Sequence, residues 1–182
     1  MQKAVTSQEM KAIEKAAADR GMPYLQMMEN AGRAAAEEII QAYRPEGKIV
    51  LTMVGKGNNG GDGYALALRM KAEGIPFVIC SLREPRSACA RHYAQLLEES
   101  GEKVLELSRY AQAIEAADVL VDALFGTGIS REMSGADAAL ADRLNESGKP
   151  VAAVDIPSGM HADGEWMSAH TVKAELTVTF VC

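Results

Sequence analysis

The sequence has few of the residues that mark disulfide-rich or metal-cluster proteins. Its 182 residues include three cysteines and three histidines. The cysteines, Cys80, Cys89 and Cys182, are odd in number and share no metal-ligand spacing, so we interpret them as reduced structural thiols. The histidines show no metal-ligand spacing either.

Long apolar runs and an excess of basic residues are also missing. No stretch is long enough to span a bilayer, and charged residues interrupt the N-terminus where a signal peptide would lie, so we expect a cytoplasmic protein. The 19 Lys and Arg residues are outnumbered by 25 Asp and Glu, giving a formal charge of -6. This balance argues against nucleic acid as the main partner. The sequence leaves open whether the protein forms a homodimer, for which the single tryptophan, Trp166, is the candidate contact.

Strand and helix patterns alternate along the chain, without internal repeats or low-complexity linkers. Helices are predicted after the Thr6–Glu9 capping box and over 25–43, 64–73, 87–100, 110–117 and 136–147. Strands are predicted over 48–54, 75–81, 103–107, 118–124, 150–156 and 171–181. Continuous apolar strands between helices predict an α/β fold, a Rossmann-like three-layer αβα sandwich with a mostly parallel sheet and two extra N-terminal helices.

Three of the predicted strands end in unusual residues. The end of the first strand carries five glycines within 55–63, the end of the fourth carries the segment 122–128, and the end of the fifth carries 155–159. Open α/β sheets bind ligands beyond the carboxyl ends of their strands, so these segments predict one site. Glycines let the backbone approach a ligand, and the helix after Gly63 adds a positive end for phosphate oxygens. A tight turn explains Gly126 alone, and local capping explains Asp122 alone, but neither explains the coincidence of all three segments.

The first glycine segment also fits the GxGxxG pattern of dinucleotide-binding dehydrogenases from Gly55 to Gly60. Two features disfavour an NADP-dependent dehydrogenase. The acidic residue expected at the end of the second strand is absent, because Ser81, Leu82 and Arg83 stand there. Asp62 would also repel a pyrophosphate placed at the start of the helix in the usual way.

Together, the segments 57–63, 122–128 and 154–159, with Met28 to Gly32 on the second helix, resemble the YjeF N-terminal domain, the NAD(P)H-hydrate epimerase family. The resemblance covers nearly the whole chain. It implies an isomerase that interconverts the R and S forms of NADHX and NADPHX, nicotinamide cofactors damaged by hydration of the ring. It further implies coupling to an ADP- or ATP-dependent NAD(P)H-hydrate dehydratase, which is fused as a second domain in many bacteria.

The resemblance also implies a set of site residues. Substrate contacts are expected at Asn58, Asn59, Gly60, Gly61, Asp62, Gly126, Thr127, Gly128, Ile129, Ser130, Arg131, Glu132 and Asp155. A potassium ion is expected at Asn59, Asp122 and Ser158, whose oxygen atoms suit a hard monovalent cation.

The epimerised carbon bears a hydroxyl beside a ring nitrogen. Its inversion requires either the bond to the hydroxyl or the ring to open and reclose on the other face, and both routes require proton transfer. Asp155 is the predicted acid/base residue, with Asp62 as the second candidate. A non-catalytic nucleotide-binding or scaffold domain of the same fold is the alternative, since relatives of this domain serve as RNA-decapping scaffolds. Family members usually continue beyond the last strand, so we expect residues 1–182 to be an epimerase domain shortened at its C-terminal end, without a dehydratase domain.

Overall fold

The computed structural model describes residues 5–180, which form a six-stranded parallel sheet between two layers of helices. The strands are β1 (Val50–Val54), β2 (Phe77–Ser81), β3 (Val104–Glu106), β4 (Val119–Ala123), β5 (Val151–Val154) and β6 (Leu176–Val178). The helices are α1 (Ser7–Asp19), α2 (Tyr24–Tyr43), α3 (Asn58–Ala72), α4 (Ala88–Glu99), α5 (Tyr110–Ala116) and α6 (Ala136–Asn145). A short 3₁₀ helix, Leu107–Arg109, precedes α5. The predicted fold class is confirmed.

The strand order is β3-β2-β1-β4-β5-β6, so the chain reverses its direction of progress between β1 and β4. That reversal is the topological switch point, beside which ligands bind in sheets of this kind. The three strands whose ends carry the unusual segments are β1, β4 and β5, which are neighbours in the sheet. The sequence prediction that these segments meet at one edge is therefore confirmed.

Both faces of the sheet are buried, as the continuous apolar strands predict. Along β1, Val50 and Val54 face a core shared with α2, α3 and α4, whereas Leu51 and Met53 face a core shared with α5 and α6. This alternation is the two-residue period of a strand. None of the helices within residues 5–180 is both long and apolar enough to cross a membrane.

The first helix differs from the others because none of its residues is buried. Its capping box forms as predicted: Glu9 N–H donates to Thr6 Oγ1 at 3.2 Å, and Thr6 N–H donates to Glu9 Oε2 at 2.8 Å. The N-terminus of α1 is tied to the segment after β5, since the backbone N–H and the hydroxyl of Ser7 donate to the carboxylate of Asp163 at 2.7 and 2.8 Å.

Two predicted elements, the third helix and the last strand, differ from the structure by more than two residues at a boundary. The third helix begins at Asn58 rather than Tyr64, so most of the glycine segment is helical. The last strand covers Leu176–Val178 rather than 171–181. Before it, backbone groups bond outside the ladder, with Val172 N–H donating to Ser158 O and Lys173 N–H to Asn145 Oδ1. The end of the predicted strand, residue 181, lies outside the described residues.

Candidate functional site

A cavity of about 380 Å³ lies beyond the carboxyl ends of β1, β4 and β5. Its walls come from the start of α3, the loop after β4, the end of β5 and the N-terminal helix α1. Lining residues are Met10, Lys11, Glu14, Lys56, Gly57, Asn58, Asn59, Asp62, Leu124, Phe125, Gly126, Thr127, Gly128, Ile129, Asp155 and Phe180. A second cavity of about 210 Å³ adjoins it and shares Met10, Glu14, Asn58, Asp62 and Phe180 with it.

Asp155 follows β5 and has a left-handed backbone, with φ at 71°. This conformation is costly for a residue other than glycine, although aspartate and asparagine tolerate it better than most. The backbone N–H of Thr127 donates to Asp155 Oδ2 at 3.0 Å and fixes the carboxylate at the cavity. Burial raises the pKa of Asp155, while the bond from Thr127 acts in the opposite direction. A carboxyl held in this way can exchange a proton with a bound ligand.

Gly126 lets Asp155 approach α3. A side chain at Gly126 would collide with Asp155 Oδ2 and would come within 3.3 Å of the Asn59 side chain. The glycine after β4 is therefore more than a turn residue, because its small size leaves room for two polar groups of the cavity.

Asn59 carries two of the five buried polar side-chain atoms that lack a hydrogen-bond partner within residues 5–180. The residue is 7% exposed, and neither its amide oxygen nor its amide nitrogen has a hydrogen-bond partner within residues 5–180. A buried amide without partners costs free energy comparable to a lost hydrogen bond, so such a group points to a missing ion, water or ligand.

Asp122 and Ser158 form a fully buried pair behind the cavity wall. The Ser158 hydroxyl donates to Asp122 Oδ1 at 2.6 Å, and the Ser158 backbone N–H donates to Asp122 Oδ2 at 2.8 Å. The N–H of Phe125, which lines the cavity, donates to Ser158 Oγ at 2.9 Å. Burial raises the pKa of Asp122 to about 6, against the opposing hydrogen bonds from Ser158 and Leu124. None of the described lysines, arginines or histidines forms an ion pair with it.

Asp62 lies on the first turns of α3 and is the most strongly perturbed acid of the cavity. Burial raises its pKa well above the ordinary value, and the charges of Asp155 and Glu14 raise it further. A carboxyl in this position favours its protonated form and can donate a hydrogen bond or a proton.

Most of the chain matches a known protein family. The family model described as YjeF-related protein N-terminus matches residues 24–182. The chain belongs to this family.

Named relatives agree with the assignment to the YjeF-related family. The NAD(P)H-hydrate epimerase of Limosilactobacillus reuteri (strain ATCC 55730 / SD2112) is 36% identical over 179 residues, covering 98% of this chain and 84% of the relative. The bifunctional NAD(P)H-hydrate repair enzyme Nnr of Pyrobaculum aerophilum is 37% identical over 183 residues, covering 97% of this chain and 36% of the longer enzyme. The crystal structure of yeast ynu0, YNL200c, has the same fold, with a TM-score of 0.89 at 24% identity over 98% of this chain and 80% of the yeast chain.

The cavity of this YjeF-related domain brings together most of the residues expected to contact substrate. Those that line it are Asn58, Asn59, Asp62, Gly126, Thr127, Gly128, Ile129 and Asp155. The expected residues that do not line it are Gly60, Gly61, Ser130, Arg131 and Glu132.

The glycines of α3 are required by packing, whether or not they also contact a ligand. A Cβ on Gly60 would collide with the carbonyl oxygen of Gly55, and a Cβ on Gly61 would lie 2.5 Å from Met28 Sδ. A Cβ on Gly63 would lie 2.7 Å from a methyl group of Val54. These glycines let α3 start close to the sheet and to α2, so it is packing between protein segments that requires them.

The contribution of α1 to the cavity is not predicted by the sequence motifs. Met10, Lys11 and Glu14 line the cavity from one face of this helix, and Phe180 lines it from the far end of the chain. Spacing of three and four residues along a predicted helix is the signal that these α1 residues share a face. Nothing in the sequence indicates that this face turns toward the ends of strands that lie more than 40 residues away.

Proposed function

We propose that this protein is an NAD(P)H-hydrate epimerase, an isomerase that interconverts the R and S forms of hydrated NADH and NADPH in nicotinamide nucleotide repair. Membership of the YjeF-related family and relatives named NAD(P)H-hydrate epimerase support the proposal. The observation that carries the proposal is Asp155, which lies at a cavity beside the switch point. Its backbone is strained, and Thr127 holds its carboxyl group. A scaffold of the same fold requires no such arrangement, so we do not favour it.

In the proposed reaction, the hydroxyl of the hydrated ring leaves as water and returns on the other face. Asp155 exchanges the proton at its carboxyl oxygens, and Asp62 is the second candidate for this role. The backbone around Asn58 and Gly57 starts α3 at the cavity and offers N–H groups to phosphate oxygens. Lys56 lines the same cavity and adds a positive charge for those phosphates. The expected residues that do not line the cavity stay predicted contacts: Gly60, Gly61, Ser130, Arg131 and Glu132.

We further propose a potassium ion at Asn59, Asp122 and Ser158. The unpartnered amide of Asn59 and the fully buried carboxyl of Asp122 fit a cation that both would contact. Within residues 5–180 no three His, Cys, Asp or Glu side chains cluster to hold a metal ion, so the proposed donors are a mixed oxygen set. When bound, the ion would supply positive charge that keeps Asp122 ionised.

Functional coupling to an NAD(P)H-hydrate dehydratase is also proposed, because the relatives from Pyrobaculum aerophilum and Thermanaerovibrio acidaminovorans are named bifunctional repair enzymes. This chain spans about a third of their length. A homodimer through Trp166 stays a prediction.

The test follows the conversion of purified R-NADPHX to the S form in potassium buffer. The wild-type protein should accelerate conversion over the spontaneous rate, and Asp155→Asn should lose at least about 100-fold of the acceleration. Asparagine is the sharper variant because it tolerates a positive φ and can accept the bond from Thr127, so that the loss reports the carboxyl rather than the loop. Asp155→Ala is the second variant. A wild-type rate equal to the spontaneous one would overturn the proposed function.

A parallel experiment tests the cation site by replacing potassium with sodium. If Asn59, Asp122 and Ser158 hold potassium, its presence should raise the melting temperature relative to sodium, and Asn59→Ala should abolish the difference. Equal melting temperatures in the two salts would contradict the cation site and leave the proposed reaction standing.

A further inference from the structure

The N-terminal helix α1 supplies one wall of the cavity although it lies outside the segment that defines the family. The family model begins at residue 24, whereas α1 covers Ser7–Asp19. Met10, Lys11 and Glu14 lie on one face of α1 and line the same cavity as Asp62 and Asp155. The helix thus adds a charged surface to a site whose other residues belong to the family core.

The attachment of α1 indicates that its cavity face has a role beyond packing. None of its residues is buried, so it contributes little to the apolar core. The two hydrogen bonds from Ser7 to Asp163 hold its start, and a turn at Gly21, with φ at 96°, connects its end to α2. A helix that is fixed at both ends and laid over a cavity presents its side chains to whatever occupies that cavity.

Glu14 is electrostatically coupled to the other two acids of the cavity. Burial raises the pKa of Glu14, and the charge of Asp155 raises it further, while Lys11 acts in the opposite direction. Glu14 in turn raises the pKa of Asp62. The unpartnered amide of Asn59, 7% exposed, lines the same cavity and points to an ion or ligand bound there. Glu14, Asp62 and Asp155 repel one another when they are ionised, and a positive charge on a ligand among them would relieve that repulsion.

The proposed reaction generates such a charge. The C–O bond of the hydroxyl-bearing ring carbon breaks, and its electron pair leaves with the oxygen, which takes a proton from a carboxyl group and departs as water. The lone pair of the neighbouring ring nitrogen forms a C=N bond, so the ring becomes a cation. Water then adds to the other face and returns the proton to a carboxylate. The cation exists only between these two steps, so a charge that stabilises it accelerates the reaction rather than tightening substrate binding.

We propose that Glu14 is a further residue of this site and that its carboxylate stabilises the cationic ring formed between water loss and water return. The inference rests on the proposed epimerase function. It assigns a role to α1 that neither the family model nor the three strand-end segments contain. Asp155 and Asp62 handle the proton, whereas Glu14 acts through its charge.

Kinetics provide the first test. Glu14→Gln should lower kcat by roughly 10- to 100-fold and change KM by less than about threefold, because it removes an interaction specific to the transition state. Asp19→Asn is the matched control, since it removes one negative charge from an exposed position of the same helix. Glu14→Asp keeps the charge and should retain more activity than Glu14→Gln. Equal kinetics for Glu14→Gln and Asp19→Asn would overturn the proposal.

Binding provides a second readout that needs no turnover. The ring of NAD⁺ is cationic and that of NADH is neutral, so the ratio of their dissociation constants, measured by calorimetry, reports preference for a charged ring. Glu14→Gln should weaken NAD⁺ binding by about fivefold or more relative to NADH, whereas Asp19→Asn should leave the ratio unchanged. An unchanged ratio in Glu14→Gln, or no binding of either nucleotide to the wild type, would overturn the proposal. If the wild type binds NAD⁺ in this Glu14-dependent way but does not epimerise NADPHX, only the proposed function is contradicted.

Discussion

At the scale of single residues, Ser158 connects a buried charge to the cavity wall. Its hydroxyl donates to Asp122 Oδ1 and accepts from the N–H of Phe125. Without this oxygen atom both partners would lose one hydrogen bond in a fully buried position. The side chain therefore matters for stability before any ligand is considered.

Ser158→Ala should lower the free energy of unfolding by about 1–3 kcal/mol, since it leaves a buried carboxylate oxygen and a backbone N–H with one partner fewer. Urea denaturation in potassium-free buffer measures the change. Ser130→Ala is the control, because Ser130 is exposed in the loop after β4 and should shift the midpoint little. Equal effects of the two substitutions would contradict the role of the Ser158 hydroxyl.

Residues at strand ends were predictable, and their surroundings were not. Asp122 lies near the end of β4, Asp155 directly follows β5 and Asn59 lies at the start of α3 after β1, so the sheet topology alone places them at one edge. The left-handed backbone of Asp155 and the unpartnered amide of Asn59 depend on tertiary contacts, which a single sequence does not encode locally. Glu14 stayed undetected because its helix reaches the site across the fold.

At the scale of elements, the start of α3 shows how tertiary packing overrides local preference. Three glycines in the first six residues disfavour a helix, because each costs about 1 kcal/mol relative to alanine, and the sequence pattern therefore indicates a loop. The helix nevertheless begins at Asn58, since only residues without a Cβ allow it to lie this close to the backbone of Gly55 and to the side chains of Met28 and Val54.

Gly60→Ala tests this explanation because helix propensity and packing predict opposite signs. Propensity alone predicts a gain of about 1 kcal/mol, whereas collision with the carbonyl oxygen of Gly55 predicts a loss of at least about 2 kcal/mol in the free energy of unfolding. Gly57→Ala is the matched control, since Gly57 has an ordinary negative φ and open space around its Cα. Thermal or urea unfolding decides the sign, and a stabilised Gly60→Ala would show that the helix has room for a side chain.

At the scale of the whole molecule, alternation of strand and helix was enough to predict the layers, but the positions of the charges inside them follow from the assembled fold. Burial raises the pKa of Asp62, Asp122 and Asp155 above the values that the same groups have in the unfolded chain. The folded protein therefore binds more protons than the unfolded chain, and its stability falls as pH rises from about 4 through the raised values. The site is formed at the expense of stability at neutral pH, which a bound cation would partly restore.

The unfolding free energy should accordingly be lower at about pH 7.5 than at about pH 5.5 in potassium-free buffer. With its pKa raised from 3.8 to about 6, Asp122 alone accounts for about 1 kcal/mol of this difference, and Asp62 increases it. Asp62→Asn should flatten the dependence of stability on pH, because the amide carries no proton to lose.

Asp163→Asn is the control. Two hydrogen bonds from Ser7 lower the pKa of this exposed acid, so its contribution to stability is lost only at more acidic pH. Denaturation at both pH values, repeated in potassium, separates the acids from the ion, because an ion at Asp122 reduces the difference without affecting Asp62. A wild-type protein that is more stable at pH 7.5 than at pH 5.5 without potassium would contradict the raised pKa values and the burial that causes them.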